Sequence, residues 1–319
     1  MAQKKITELQ QISAMTDGSS IPTDNGIQTY RVTGSQLKTY FAPIYVPPSF
    51  EELTSSGTWN KHYAFVVSAA SATVGATYTH NAVTYTVIRT VSSSDLVILS
   101  GNAAPLSSGT LTKASGTGDS SIAFTLSKAP VYLEVFGMAG GGGGSGSGTA
   151  LGGTGTAGGS TTFGSSLLTA TGGSAGAFQN ATNGVGGSPT INAPAYGIGI
   201  PGGNGGGRNI NGTASSQLAG SPGGQGALGG GSFGSLQTDL DGKDKTGGGG
   251  CGGGTSGTSN SDTGTGGGAG AFFRAFIPSP SATYAYAVGS GGGGGTAGTN
   301  GFAGGDGGDG YLAVICHFQ

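Results

Sequence analysis

Groups able to do chemistry are few in this chain and far apart. The histidines are His62, His80 and His317, and the cysteines are Cys251 and Cys316. A working nucleophile needs a base within hydrogen-bond reach and a third group to orient that base. No Ser or Cys in the sequence stands out as the partner of any histidine. Cys316 and His317 are neighbours in a strand-like run, where successive side chains point to opposite faces, so they do not form a dyad. Glu51 and Glu52 are also neighbours, in a stretch flanked by Pro47 and Pro48. Glycosidase carboxylates face each other across a cleft, which this pair does not do. Gly242-Lys243 is followed by Asp244 rather than Ser or Thr, so there is no phosphate-binding P-loop. Gly304-Gly305-Asp306-Gly307-Gly308-Asp309-Gly310-Tyr311-Leu312 fits the calcium nonapeptide pattern, but a calcium roll requires stacked copies and this is one. The expectation is a non-enzymatic protein without metal or cofactor. Two cysteines make no disulfide framework.

Composition says what kind of scaffold carries these groups. Of 72 glycines in 319 residues, nine precede residue 131 and 63 lie from Gly137 to Gly310. That second stretch is about one-third glycine, against a usual level near 7%. Lys+Arg 12 against Asp+Glu 14 gives a net charge of −2 with no basic stripe, so nucleic acid is not an expected partner. No polybasic amphipathic stretch suggests a membrane surface. The apolar runs are too short to cross a bilayer, and the start Met1-Ala-Gln-Lys-Lys5 lacks the apolar core of a secretory signal. The product is therefore expected to stay in the cytosol of the cell that makes it.

Read for periodicity, the chain predicts an all-β protein in four parts. Residues 1–45 hold a strand-like run at Thr29–Val32 and a short helix at Gln36–Phe41, with Leu37, Tyr40 and Phe41 on one face. So small a module cannot bury enough apolar surface to stand alone. Residues 46–57 read as an extended, proline-bearing linker. From 58 to 128 strands alternate at 63–67, 77–79, 84–88, 96–99, 109–113 and 121–125, a small antiparallel β-domain with turns at His80-Asn81 and 116–119. From 129 to 319, strand-like islands at 131–136, 161–163, 167–170, 272–277, 283–288 and 311–316 interrupt the glycine. The strands at 131–136 and 311–316 are expected to be neighbours.

Glycine-rich chain is ordinarily a flexible coil. A flexible coil has no use for Phe272, Phe273, Phe276, Tyr284, Tyr286 and Tyr311, so an ordered tract is expected. Glycine runs can form extended left-handed helices of three residues per turn that hydrogen-bond side by side. The strict triplet period and proline content of collagen are absent.

Three stretches resemble known virion modules. Lys4-Lys5-Ile6-Thr7-Glu8-Leu9, Ile21-Pro22 and Tyr30-Arg31-Val32-Thr33-Gly34-Ser35-Gln36-Leu37 resemble the N-terminal module that docks phage tail fibres to the particle. The stretches Val74–Val87 and Pro105–Asp119 look like a small β-module recurring in such fibres. Val131–Phe136 running into glycine, Tyr284–Gly289 and Gly304–Leu312 are similar to the glycine-rich domain of phage adhesins. The resemblance implies a tail-fibre or spike receptor-binding protein located on the virion. It implies a C-terminal glycine-rich β-sandwich of polyglycine-II-like helices, a homotrimeric assembly, and loops that touch a protein or glycan on the bacterial outer surface. It places virion attachment on Ile6, Leu9, Tyr30, Val32, Leu37 and Phe41, against other tail proteins. Receptor binding is expected where the glycine pattern breaks, at 177–200 and 233–245, with Phe178, Tyr196, Ile198 and Phe233 as anchors and Arg208 and Asp239 as polar contacts. For each anchor, filling the domain's own core is an equal alternative. A head fibre or capsid decoration protein would use the same modules without a dedicated receptor. A cell-wall glycine-rich protein would carry a secretion signal.

Overall fold

The computed structural model describes residues 46–68, 72–91, 96–103, 107–150, 152–178, 182–209, 217–236, 240–257 and 262–319, with the strand backbone of 20–24 and 29–33. Among them there is no helix; every paired strand is antiparallel. The chain divides into Met1–Val46 and Pro47–Gln319. In the first unit β1 (Ser20–Asp24) pairs with β2 (Thr29–Thr33), Ser20 opposite Thr33. Tyr30 and Val32 lie on β2. Ile6, Leu9, Leu37 and Phe41, and with them the expected helix, lie outside the described residues.

The second unit opens with a departure from the expected linker. Ser49–Leu53 (β3) and Ser56–Asn60 (β4) are strands, each at the edge of a larger sheet. Pro47 and Pro48 stop just short of β3, where a missing amide costs no ladder bond. Six strands then close a barrel in the order β10-β5-β8-β7-β6-β9. They are β5 (His62–Ser68), β6 (Thr77–His80), β7 (Val83–Val91), β8 (Leu96–Ser100), β9 (Gly109–Ser115) and β10 (Ser121–Lys128). Alternation turns Tyr63, Phe65, Tyr78, Tyr85, Leu111 and Phe124 inward into one buried cluster. The β6–β7 hairpin turns on Asn81 and Ala82, both at positive φ (49° and 63°), as a two-residue loop of primed type requires.

After the barrel come β11 (Tyr132–Met138), β12 (Thr161–Phe163), β13 (Leu168–Ala170), β14 (Pro189–Ile191), β15 (Tyr196–Ile200), β16 (Phe272–Pro278), β17 (Thr283–Ala287) and β18 (Tyr311–His317). They complete two five-stranded sheets, β15-β16-β11-β18-β3 and β14-β13-β12-β17-β4. As expected, β11 and β18 are neighbours, with Val135 opposite Val314. One core serves both sheets: Leu133, Val135, Phe273 and Val314 from the first meet Trp59, Phe163 and Leu168 from the second. Trp59, Phe163 and Tyr284 pack ring to ring there at 4.8 to 6.1 Å.

Between these strands run the glycines, and their hydrogen bonds repeat every third residue. Gly140, Gly143 and Gly146 donate to Gly159, Thr156 and Gly153. Gly141, Gly144 and Ser147 donate to Gly308, Gly305 and Phe302, while Gly142 and Ser145 donate to Gly268 and Thr265. Carbonyls of the same run accept from the runs around 173–176, 250–253 and 292–298. Run 140–148 thus binds three neighbours by donating and three by accepting through its backbone, with the Ser145 and Ser147 hydroxyls adding bonds to the same neighbours. Run 263–271 is held in the same way, donating to 247–253, 203–209 and 171–174 and accepting from 142–145, 184–187 and 221–224. Neighbours so close leave no room for a side chain. A Cβ built on Gly141 would stand 2.0 Å from the Gly248 carbonyl oxygen, and one on Gly144 1.8 Å from that of Cys251. Packing of the backbone, more than backbone conformation, excludes other residues from these positions.

Candidate functional site

Antiparallel pairing sorts the glycine runs into two directions. Run 140–148 leaves β11 and travels away from the sheets, and 152–159 returns to β12. Runs 171–177, 201–209, 230–236, 247–255 and 289–298 also lead away, each followed by a returning run. Six chain reversals therefore gather at the end remote from the sheets, flanked by 148 and 152, 177 and 182, 209 and 217, 236 and 240, 255 and 262, and 298 and 301.

The expected receptor contacts are divided by this architecture. Phe178 sits at the remote end, half-buried against Gly152. Arg208 is there too, but its guanidinium is held 2.8 Å from the Asp262 carboxylate, tying two runs together. Phe233 is 77% exposed on run 230–236, with Leu228 and Leu236 also exposed on that stretch of chain. Asp239 lies outside the described residues. Tyr196 and Ile198 are elsewhere. They were expected on a binding loop, but they occupy β15, an edge strand of a sheet, because residues at 196, 198 and 200 alternate with glycines that face Pro189 and the Arg274 carbonyl. Tyr196 is 61% and Ile198 65% exposed, and the Tyr196 ring stacks on Phe276 at 5.7 Å.

A second grouping looks catalytic at first sight. His62 Nδ1 lies 2.8 Å from Ser49 Oγ and 3.2 Å from Cys316 Sγ, while Nε2 lies 2.8 Å from Glu51 Oε2. The same carboxylate oxygen accepts from Trp59 Nε1 at 2.8 Å. The absence of a Ser or Cys partner for the histidines, expected from the sequence, is thus overturned for His62. Cys316 and His62 are 254 residues apart, and the partners are brought together by β3 and β18, neighbours in one sheet, a pairing whose β3 side places Ser49 and Glu51 in the supposed linker. With Nε2 donating to Glu51, Nδ1 is left to accept from the Ser49 hydroxyl or the thiol. Yet Ser49, His62 and Cys316 are all fully buried, and burial pushes the Cys316 thiol up to about 12. A protonated, sealed thiol is no nucleophile. The cluster satisfies buried polar groups where the barrel's first strand meets the sheet. Cys316 and His317 do face opposite sides, the latter stacked on Tyr132 at 4.3 Å. No disulfide joins Cys251 and Cys316, both buried.

A shallow cavity of about 310 Å³ is lined by Asp241, Asp244, Asp306 and Asp309 with glycines. The carboxylates are engaged by backbone amides: Gly294 and Gly291 donate to Asp306 and Asp309 at 2.6 and 2.7 Å, and Asp306 N donates to Asp241 at 2.8 Å. The aspartates of the nonapeptide-like segment therefore pin one glycine run to the next. Beside it, Lys245 pairs with Glu52 at 2.5 Å, which raises the lysine pKa.

Comparison with family models, curated protein sequences and solved structures yields no match for this chain.

Proposed function

We propose that this chain is the receptor-binding protein of a phage tail fibre or spike, attached to the virion through residues 1–45 and touching a bacterial surface receptor with the remote end of its glycine bundle. The observation that supports this most is the collection of six chain reversals at one end of a scaffold whose interior is backbone. In this reading the runs are polyglycine-II helices. Their three-residue hydrogen-bond period is the signature of that helix. Together with the two sheets they form the glycine-rich sandwich that the sequence resemblance implies. A rigid scaffold whose interior holds few and small side chains suits recognition, because variable connections can change while the core stays constant. Phe178 and Phe233 are the apolar contacts in this assignment, and the chain acts by binding without catalysis. Arg208 positions two runs through Asp262 and does not itself reach for the receptor.

Adsorption tests the reading. The full-length chain, fluorescently labelled, should bind cells of a susceptible host saturably, and whole phage should compete. Phe233→Ala should weaken binding several-fold without lowering the melting temperature. Absence of saturable binding on every host the phage infects would replace this function with that of a capsid decoration or head-fibre protein. A fragment starting at 131 is unsuitable, since it lacks β3 and β4, an edge strand from each sheet; truncation should begin no later than Pro47.

A further inference from the structure

The outer face of the sheet β15-β16-β11-β18-β3 is largely apolar, and its β15 edge is uncovered in the single chain. At its β15 edge Tyr196, Ile198 and Ile200 are 61%, 65% and 41% exposed, and register sets Tyr196 opposite Phe276 and Ile198 opposite Arg274. Scattered apolar residues on a surface are ordinary, but a contiguous row of them marks an interface. We propose that the free edge of β15, at the rim of this face, receives a second copy of the same chain, β15 pairing antiparallel with β15.

Three observations select a copy of this chain over another partner. First, the charges at the centre of the face cancel within it. Arg274 binds Glu134 Oε1 at 2.6 Å, and its guanidinium lies over the Phe136 and Phe276 rings at 5.3 and 5.7 Å. A sheet with no charge left over beside its edge meets its own image there without like-charge repulsion. Second, the edges differ in protection. The opposite edge, β3, carries Glu51 and Glu52, and charges discourage edge pairing; β15, flanked by proline as β3 is, carries no charge. Third, Tyr196-Gly197-Ile198-Gly199-Ile200 has the same large-small spacing read in either direction about Ile198. An antiparallel copy therefore sets Ile198 against Ile198, Tyr196 against Ile200, and glycine against glycine. The two sheets then continue as one across a two-fold axis, with the same patch used on both sides. This pairing is independent of the adhesin reading and distinct from the three-fold assembly that the sequence resemblance implies.

Cysteine cross-linking of the full-length chain tests it. Residues opposite one another in an antiparallel pair are close enough for a disulfide, and Cys251 and Cys316 are buried and out of reach. Ile198→Cys should convert under mild oxidation to a covalent pair of twice the chain mass, reversed by reductant, while Phe233→Cys, on a distant exposed run, should remain single. Sedimentation should show concentration-dependent pairing of the unmodified chain that Ile198→Glu abolishes with melting temperature unchanged. Cross-linking of Ile198→Cys no faster than of Phe233→Cys would overturn the proposal, as would association that survives both Ile198→Glu and Tyr196→Glu. Host-cell adsorption is scored separately, so loss of pairing and loss of receptor binding are told apart.

Discussion

The barrel and the glycine bundle both exclude water from a folded interior, and they do so with opposite materials. In the barrel, large side chains fill the space: Tyr63, Phe65, Tyr85 and Phe124 meet edge to face at 5.2 to 6.3 Å. Its stability comes from apolar area removed from water. In the bundle, runs 140–148, 247–255 and 263–270 are buried almost without side chains, and carbonyls and amides of adjacent runs fill the space. Ordering glycine costs more backbone entropy than ordering any other residue. The compensation is a dense hydrogen-bond lattice closed to water, in which each bond is strengthened by the dry surroundings. Adding a side chain should therefore damage the bundle as removing one damages the barrel.

The largest effect is expected from adding one methyl group to the bundle's centre. Gly144→Ala sets a Cβ 1.8 Å from a backbone oxygen held by its own neighbours, so the bundle cannot relax locally. Overpacking alone costs about 1–3 kcal/mol. The loss of surrounding hydrogen bonds adds to it, so this variant should fail to fold or melt far below the parent. Gly293→Ala is the matched control on the exposed side, where the nearest atom to a Cβ is 3.6 Å away, and it should melt within a few degrees of the parent. Next in size is Phe65→Ala in the barrel, which should cost about 3–5 kcal/mol, the usual range for a buried phenylalanine. Denaturant melts followed by Trp59 fluorescence report on the sheets, since the barrel contains no tryptophan; far-UV dichroism sees both regions. Separate transitions in Phe65→Ala would show that the barrel unfolds without the sheets.

Alkali should also distinguish the regions. Burial raises the Cys316 thiol from its ordinary value near 9 to about 12. The folded state holds that proton more tightly, so the stabilisation is complete below pH 9 and is lost as pH rises towards 12. Across that window one proton corresponds to about 1.4 kcal/mol per pH unit. In the barrel Tyr63 is raised from 10 to about 12, by burial and then by Tyr85, so its loss begins a unit later. Cys316→Ala should flatten the pH dependence between 9 and 10. The smallest effect is a gain: Ala82 is exposed and holds φ at 63° in a turn that favours glycine. Ala82→Gly should stabilise the barrel by about 1 kcal/mol, the scale of a left-handed backbone penalty. A methyl group is thus disfavoured at both Gly144 and Ala82, by packing in the bundle and by backbone conformation in the barrel turn.

The same contrast explains what could be read in the sequence. Barrel strands announced themselves because half-buried strands alternate, as in Thr84-Tyr85-Thr86-Val87. The islands around Val135, Phe273 and Val314 were legible for the same reason, including the β11–β18 pairing. Strands β3 and β4 were hidden by Pro47, Pro48 and the short polar run Glu51–Gly57, and β15 by Gly197 and Gly199, which leave no buried side chain to count. Which glycine run lies beside which was illegible, because partners chosen by backbone bonds leave no side-chain pattern. The His62 cluster was invisible because strand pairing alone brings Ser49, Glu51 and Cys316 to one ring. Of the expected receptor anchors, Phe233 could equally have filled the core, and the separation of Tyr196 and Ile198 from the remote end depends on the direction of each run.

Hydrogen–deuterium exchange of the full-length chain is the most direct test of the central claim, that the glycine tract is an ordered interior and not a tether. The amides of 140–148 and 263–270 should exchange as slowly as those of β11 and β18, with protection lost in Gly144→Ala. Exchange of those amides at the rate of an unstructured chain, while β11 and β18 remain protected, would contradict the account and leave the glycine tract a flexible coil.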